Sequence, residues 1–215
     1  MLQRFTWLTL ILLACAQLAN AEAPGLKKIK DIIIYKDASY YSAFPSIVQR
    51  QDGELLCAFR RAPDRKALWG APGYTHTDTN SYLVLVRSRD NGETWTQEAN
   101  PVDYLGDGNP PMLNKLADGR LCLTYGFRGY PYSIRARLSS DNGKSWGPQI
   151  VLREDGTDRD IGYVRSIVRP DGKMVTTYYI NDEQTGPERY IGATIWDPDK
   201  ITEITHGDMN RQLAF

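Results

Sequence analysis

Ser88-Arg89-Asp90-Asn91-Gly92-Glu93-Thr94-Trp95 returns further along the chain as Ser139-Ser140-Asp141-Asn142-Gly143-Lys144-Ser145-Trp146. Both octets read S-x-D-x-G-x-(T/S)-W, and each follows strand-like sequence. Such self-similarity is what stacked β-units produce. Within each copy Asp-Asn-Gly suits a hairpin turn, because Gly accepts a positive φ and Asp or Asn side chains bond nearby backbone groups. Thr94 or Ser145 and the following Trp then begin the return strand, the indole offering a large apolar face. Two aligned copies predict repeated blades.

A second repeat runs beneath the first. Gln51-Asp52-Gly53-Glu54-Leu55-Leu56-Cys57-Ala58-Phe59, Ala117-Asp118-Gly119-Arg120-Leu121-Cys122-Leu123-Thr124-Tyr125 and Pro170-Asp171-Gly172-Lys173-Met174-Val175-Thr176-Thr177-Tyr178 share one pattern. Each is an Asp-Gly turn followed by an apolar, β-rich run, the signature of a hairpin. A short strand precedes each one, at Ser46–Val48, Met112–Asn114 and Ser166–Val168. A third strand follows, at Tyr82–Ser88, Ile134–Ser139 and Tyr190–Trp196. The spacing predicts three β-units over about residues 40–100, 108–152 and 161–205, with a leading strand at Ile32–Tyr35. Helical periodicity is absent, so the expected class is all-β. Three units fall short of the roughly four to eight blades that close a propeller ring. The expected forms are an internally shortened propeller, a fragment, or an open arc that pairs with another copy.

The N-terminus carries Arg4, the apolar run Leu8–Ala16 and the small-x-small site Ala19-Asn20-Ala21. This reads as a secretory signal peptide over residues 1–21, with the propeller region over 22–215. Lipoprotein anchoring at Cys15 is a weaker alternative. The expected location is secreted or periplasmic, with no transmembrane segment. The 26 basic and 26 acidic residues cancel without a run of one sign, which argues against nucleic-acid and anionic-membrane partners. Cys57 lies four residues after its turn glycine and Cys122 three, so equivalent strands point them to opposite faces and two buried thiols are expected. With His76 and His206 the only histidines, no metal-ligand spacing occurs, and neither metal nor organic cofactor is implied.

The octet resembles the Asp-box of the sialidase (neuraminidase) superfamily, whose members are six-bladed β-propellers. In that family the box is a structural hairpin on the outer rim, so it argues architecture, and function must be sought elsewhere. Two segments carry that search. The connection from Arg61 to Ser81 lacks strand pattern and holds Asp64, Arg65, Trp69, Tyr74, His76, Asp78 and Asn80. Loops of such length in compact domains usually serve a function. The resemblance implies that Asp78 is the general acid/base, with His76 a second candidate. The local alternative is that Asp78 and Asn80 cap turns. The second segment is Asp160-Ile161-Gly162-Tyr163-Val164-Arg165-Ser166. By resemblance Tyr163 takes the place of the nucleophile opening the last blade. Arg165, two residues on, should share its face if the segment is extended. A plain strand tyrosine is the alternative, in a chain with 13 of them.

Departures from the family pattern bear on substrate. Where sialidases carry the arginine that clamps the sialic acid carboxylate, the aligned stretch Ser42-Ala43-Phe44-Pro45 has Ala43. Arg60 and Arg61, or Arg128, Arg135 and Arg137, are the candidate substitutes, since arginine is the residue that grips a carboxylate bidentately. No Glu stands in a recognisable motif as partner for Tyr163. The resemblance implies a secreted, retaining, exo-acting glycoside hydrolase with Tyr163 and Asp78 catalytic. Arg60, Arg61, His76, Trp69, Arg128 and Arg165 would contact a carbohydrate whose identity as sialic acid Ala43 puts in doubt. The alternatives are a non-catalytic carbohydrate- or protein-binding propeller, and a propeller polysaccharide lyase using His76 and Tyr163. Self-association of an incomplete ring completes the expectations.

Overall fold

The computed structural model describes residues 28–70, 78–103 and 109–201. The expected signal peptide and Cys15 lie outside them, as do Tyr74, His76 and His206. Residues 28–33 belong to a separate compact unit and carry no helix or strand. From Ile34 onward the described residues are all-β apart from one short helix, and they form three antiparallel sheets. The first contains β1 (Tyr40–Gln49), β2 (Leu55–Pro63), β3 (Tyr82–Ser88) and β4 (Thr96–Gln97) in sequence order. The second contains β5 (Met112–Lys115), β6 (Leu121–Phe127), β7 (Tyr132–Ser139) and β8 (Ile150–Gly156), again in order. The third is β9 (Gly162–Val168), β10 (Met174–Ile180) and β11 (Tyr190–Trp196). These are three meander blades, and the three repeats of the sequence map onto them.

Strand alternation decides which side chains join neighbouring blades. On β2, Leu56, Ala58 and Arg60 share one face, and the first two pack with Leu83 and Leu85 against Leu121, Leu123 and Tyr125 of blade 2. The opposite face, Cys57 and Phe59 with Val84 and Val86, is covered by Ile34 and Tyr35. Blade 2 meets blade 3 through Cys122, Ala136 and Met174, and through a chain of hydroxyls: Thr124 Oγ1 lies 2.7 Å from Ser166 Oγ, itself 3.0 Å from Thr176 Oγ1. Cys57 and Cys122 therefore sit in different clusters on opposite blade faces, as free buried thiols. Burial pushes their pKa values up, to about 11 and about 12.

Each octet forms the same compact loop after the third strand of its blade. Asp90 Oδ1 accepts from the Thr94 amide at 2.9 Å, and Ser88 Oγ accepts from the Gly92 amide at 2.8 Å. Asp141 and Ser139 repeat this with Ser145 and Gly143, both at 2.8 Å. Asn91 and Asn142 hold φ of 58° and 66°, a left-handed conformation that Asn tolerates better than most residues. The second loop also docks on blade 1, where the buried guanidinium of Arg87 donates to the Asn142 carbonyl while pairing with Glu54 and Glu98.

Two expectations need correction. No strand forms at Ile32–Tyr35. Ile34 and Tyr35 lie across the face of blade 1, with the Tyr35 ring 4.9 Å from that of Phe59, so their apolar character serves face packing rather than a ladder. The connection after β2 contains a helix, α1 (Arg65–Trp69), started by Asp64, whose carboxylate accepts from the Ala67 amide at 3.0 Å.

Candidate functional site

The first strands of the blades, β1, β5 and β9, are packed against one another in that order. Where they converge lies a pocket of about 390 Å³ lined by Phe44, Pro45, Ser46, Pro110, Pro111, Met112, Tyr163 and Arg165. Two of its walls have unusual backbone. Phe44 (φ 62°) and Tyr163 (φ 48°) are both left-handed, which for bulky residues persists only when the surroundings enforce it. Phe44 sits at a bulge in β1, between Ala43 and Ser46, and precedes Pro45, which disfavours the helical region for it. Tyr163 is held by Asn109. This wholly buried side chain accepts the Tyr163 amide on Oδ1 at 3.2 Å. Asn109 in turn fills space that side chains at Gly126 and Gly162 would occupy, since a Cβ at those positions would come within 2.6 Å and 2.3 Å of it. The result is an exposed Tyr163 ring 6.0 Å from Phe44 and 5.8 Å from Tyr179.

Cations gather around this ring. Arg128 follows β6, donates to the Ile161 carbonyl at 3.0 Å and to the Tyr179 hydroxyl at 2.7 Å, and holds its guanidinium 5.8 Å from the centre of the Tyr163 ring. Burial, aided by Asp160, pushes the Tyr179 hydroxyl up, so it stays a protonated donor to that carboxylate at 2.5 Å. Arg165 lines the same pocket as Tyr163, although the left-handed backbone of Tyr163 departs from the extended segment assumed for their shared face. Arg60, fully buried, donates to the Asp78 carbonyl at 3.2 Å and lies in electrostatic reach of Tyr41, Asp78, Arg128 and Tyr163. Burial lowers its pKa to about 10, which leaves it cationic at neutral pH. It pairs in register with Ala43 of β1.

Asp78 is buried. Its carboxylate pairs with Arg65 (Oδ1 to NH2, 3.2 Å) and accepts the Asn80 amide at 2.9 Å, so the turn-capping geometry is realised. Burial alone would raise its pKa. The Arg65 and Asn80 hydrogen bonds and the nearby guanidinium charges outweigh that and hold the carboxyl below its ordinary value.

The remaining sequence-derived residues are scattered. Arg61, one residue from Arg60, points to the other face of β2 and sits among Tyr35, Tyr40 and Tyr82, donating to Tyr82 at 2.6 Å. Trp69 is exposed on α1, below Arg65. Arg135 stacks on Phe127, and Arg137 donates to the Pro101 carbonyl, both away from the pocket. His76 lies outside the described residues, so its pairing with Tyr163 is not placed. Asn109, Phe44 and Tyr179 are the neighbours that sequence reading missed. Only the Phe-Pro step and the Gly162-Tyr163 pair signalled unusual backbone there. Contacts of Tyr163 among the described residues are the Asn109 amide acceptor, two rings and Arg128, with no carboxylate hydrogen-bonded to its hydroxyl. Nor, among them, do three or more His, Cys, Asp or Glu side chains form a group suited to a metal ion.

No protein-family model matches this sequence, and no curated protein is similar to it. Solved structures are. A protein of unknown function from Dyadobacter fermentans is 27% identical with a TM-score of 0.62, over 83% of this chain and 57% of that one. An α-L-arabinanase from Penicillium chrysogenum, complexed with arabinobiose, is 17% identical with a TM-score of 0.53, over 75% of this chain and 48% of that one. A microbial sialidase is 16% identical with a TM-score of 0.49, over 75% and 36%. The fold shared with these structures is an all-β propeller, with a shortened blade count in this chain. This chain spans about half the length of the first two structures.

Proposed function

We propose that this chain is a carbohydrate-binding β-propeller, exported from the cell, whose axial pocket seats a sugar ring against Tyr163. One observation carries the reading. Phe44 and Tyr163, on different blades, are both held in left-handed backbone and meet edge-on with ring centres 6.0 Å apart in the pocket lining, an arrangement that spends conformational strain to present two aromatic surfaces. Aromatic walls suit the C–H faces of a sugar, and Arg165 at the rim suits its hydroxyls or an acidic substituent. The propeller glycosidase fold of the similar structures supports the carbohydrate class. Sialic acid itself has less support, because Arg60 is buried and Ala43 offers no grip.

A second reading is a retaining hydrolase with Tyr163 as nucleophile and Asp78 as acid/base. Arg128 beside the Tyr163 ring favours it, since it places a cation near the proposed nucleophile. Against it, Asp78 is ion-paired and held ionised, whereas a general acid needs a raised pKa. One variant pair separates the two. Tyr163→Phe keeps the ring, so in a binding module the affinity for a panel of neutral, uronic acid and sialyl glycosides stays within about twofold. Tyr163→Ala lowers it by about tenfold, roughly 1.4 kcal/mol. In a hydrolase Tyr163→Phe abolishes turnover while binding persists. Unchanged affinity in Tyr163→Ala would refute the pocket.

A further inference from the structure

A second cavity, of about 590 Å³, opens between blades 2 and 3, within the range of roughly 300–1,000 Å³ usual for small-ligand sites. It is bounded by Tyr130 before β7, Tyr132 at the start of β7, Glu154 and Thr157 at the end of β8, and Asp182 and Glu183 after β10. Because Tyr179 near the end of β10 pairs with Gly162 at the start of β9, these elements lie at the same end of the blades as Tyr163. Both cavities therefore open on one face of the propeller.

The cavity is built stiffly around an exposed ring. Tyr130 is 83% exposed, and its ring stands edge-on to that of Tyr132 at 5.9 Å. Arg153 ties two lining residues together, clasping Asp155 at 2.6 and 2.8 Å while also reaching Asp182 across the blade boundary. Asp182 further accepts the Thr185 amide at 2.8 Å, the Gln184 amide at 3.0 Å and the Tyr190 hydroxyl at 2.5 Å. The charge of Arg153 is thus taken up by Asp155 and Asp182. Glu154 and Glu183, both exposed, make no ion pair among the described residues. A line of side chains leads from this cavity towards the axial pocket. The Tyr163 ring lies on Tyr179, whose hydroxyl bonds Asp160, and three residues back Thr157 lines the second cavity.

We infer that this cleft is a second sugar subsite, for a ring without negative charge and preferably one bearing an amine. The inference rests on the axial pocket being a sugar site and deepens it: the ligand is an oligosaccharide that runs along the shared face from one cavity to the other. Tyr130 supplies the stacking surface. The surplus of carboxylates accepts hydrogen bonds from hydroxyl or ammonium groups and repels a carboxylate or sulfate on the incoming ring.

Calorimetry on the full chain tests this with three tetramers, β-1,4-glucosamine, cellotetraose and galacturonate. Tyr130→Ala should weaken the glucosamine tetramer and cellotetraose about tenfold, and Glu154→Gln/Glu183→Gln should weaken the glucosamine tetramer alone. Tyr130 is exposed, so an unchanged urea midpoint for Tyr130→Ala checks that folding is intact. Tightest binding of the galacturonate, no effect of Tyr130→Ala, or no binding of either uncharged or cationic tetramer overturns the inference. A Tyr130 effect that persists while Tyr163→Ala has none would fail the axial reading and leave the second cavity a binding site. The reverse pattern fails the second cavity alone.

Discussion

The strongest test of how the axial pocket is built is Gly162→Ala. Gly162 has φ +114°, a region closed to L side chains, at a cost of about 1–3 kcal/mol for any other residue. A methyl group there would lie 2.3 Å from Asn109 Oδ1 and 2.6 Å from its Cγ. Asn109 is wholly buried and cannot swing into solvent, so overpacking adds about 1–3 kcal/mol. Losing the Asn109–Tyr163 hydrogen bond adds about 0.5–1.5 kcal/mol. Together these place Gly162→Ala about 2.5–7.5 kcal/mol below the parent, a large part of the roughly 5–15 kcal/mol that stabilises a domain. Gly172 is the internal control. Its φ is +80°, but a Cβ there meets nothing within 4 Å, so Gly172→Ala should cost only the left-handed penalty of about 1–2 kcal/mol. Urea unfolding measures both. Repeating Gly162→Ala in an Asn109→Ala background should remove the clash and leave the φ penalty alone. Equal costs for the two glycines, or additivity with Asn109→Ala, would refute the account.

Two further outcomes are expected. The Thr94 side chain and amide, with Ser88, hold the Asp90 carboxyl at about 2, below its ordinary 3.8, so its contribution to stability is full above about pH 4 and is lost as the pH falls through about 2. The gap in urea midpoint between parent and Asp90→Ala should therefore be wide at pH 6 and close towards pH 2, and a pH-independent gap would contradict this. Blade 3 turns Ile167, Ile191 and Ile195 to solvent, each more than 60% exposed. Sedimentation of residues 22–215 should accordingly show self-association at micromolar concentration, and a strictly monomeric boundary there would count against it.

Much of this fold is written in local sequence. Asp-Gly turns and Asp-Asn-Gly octets act within a few residues, so hairpins, the order of strands and the opposite facing of Cys57 and Cys122 follow from turn chemistry and the two-residue period. The pair Arg60 and Arg61 was ambiguous only until β2 was placed, since alternation sends one towards blade 2 and the other away. Tertiary structure alone decided the rest. Ile34 and Tyr35 read as a strand, yet they cover a sheet face, because an apolar run does not record whether its backbone or its side chains find partners. Asp78 was legible both as an acid and as a turn cap, but the Arg65 guanidinium that helix α1 brings against its carboxylate is visible only in the tertiary structure. Asn109 left no mark in the sequence at all. Its role arises from two glycines on β6 and β9, far apart along the chain, whose missing side chains leave the space in which it can hold Tyr163.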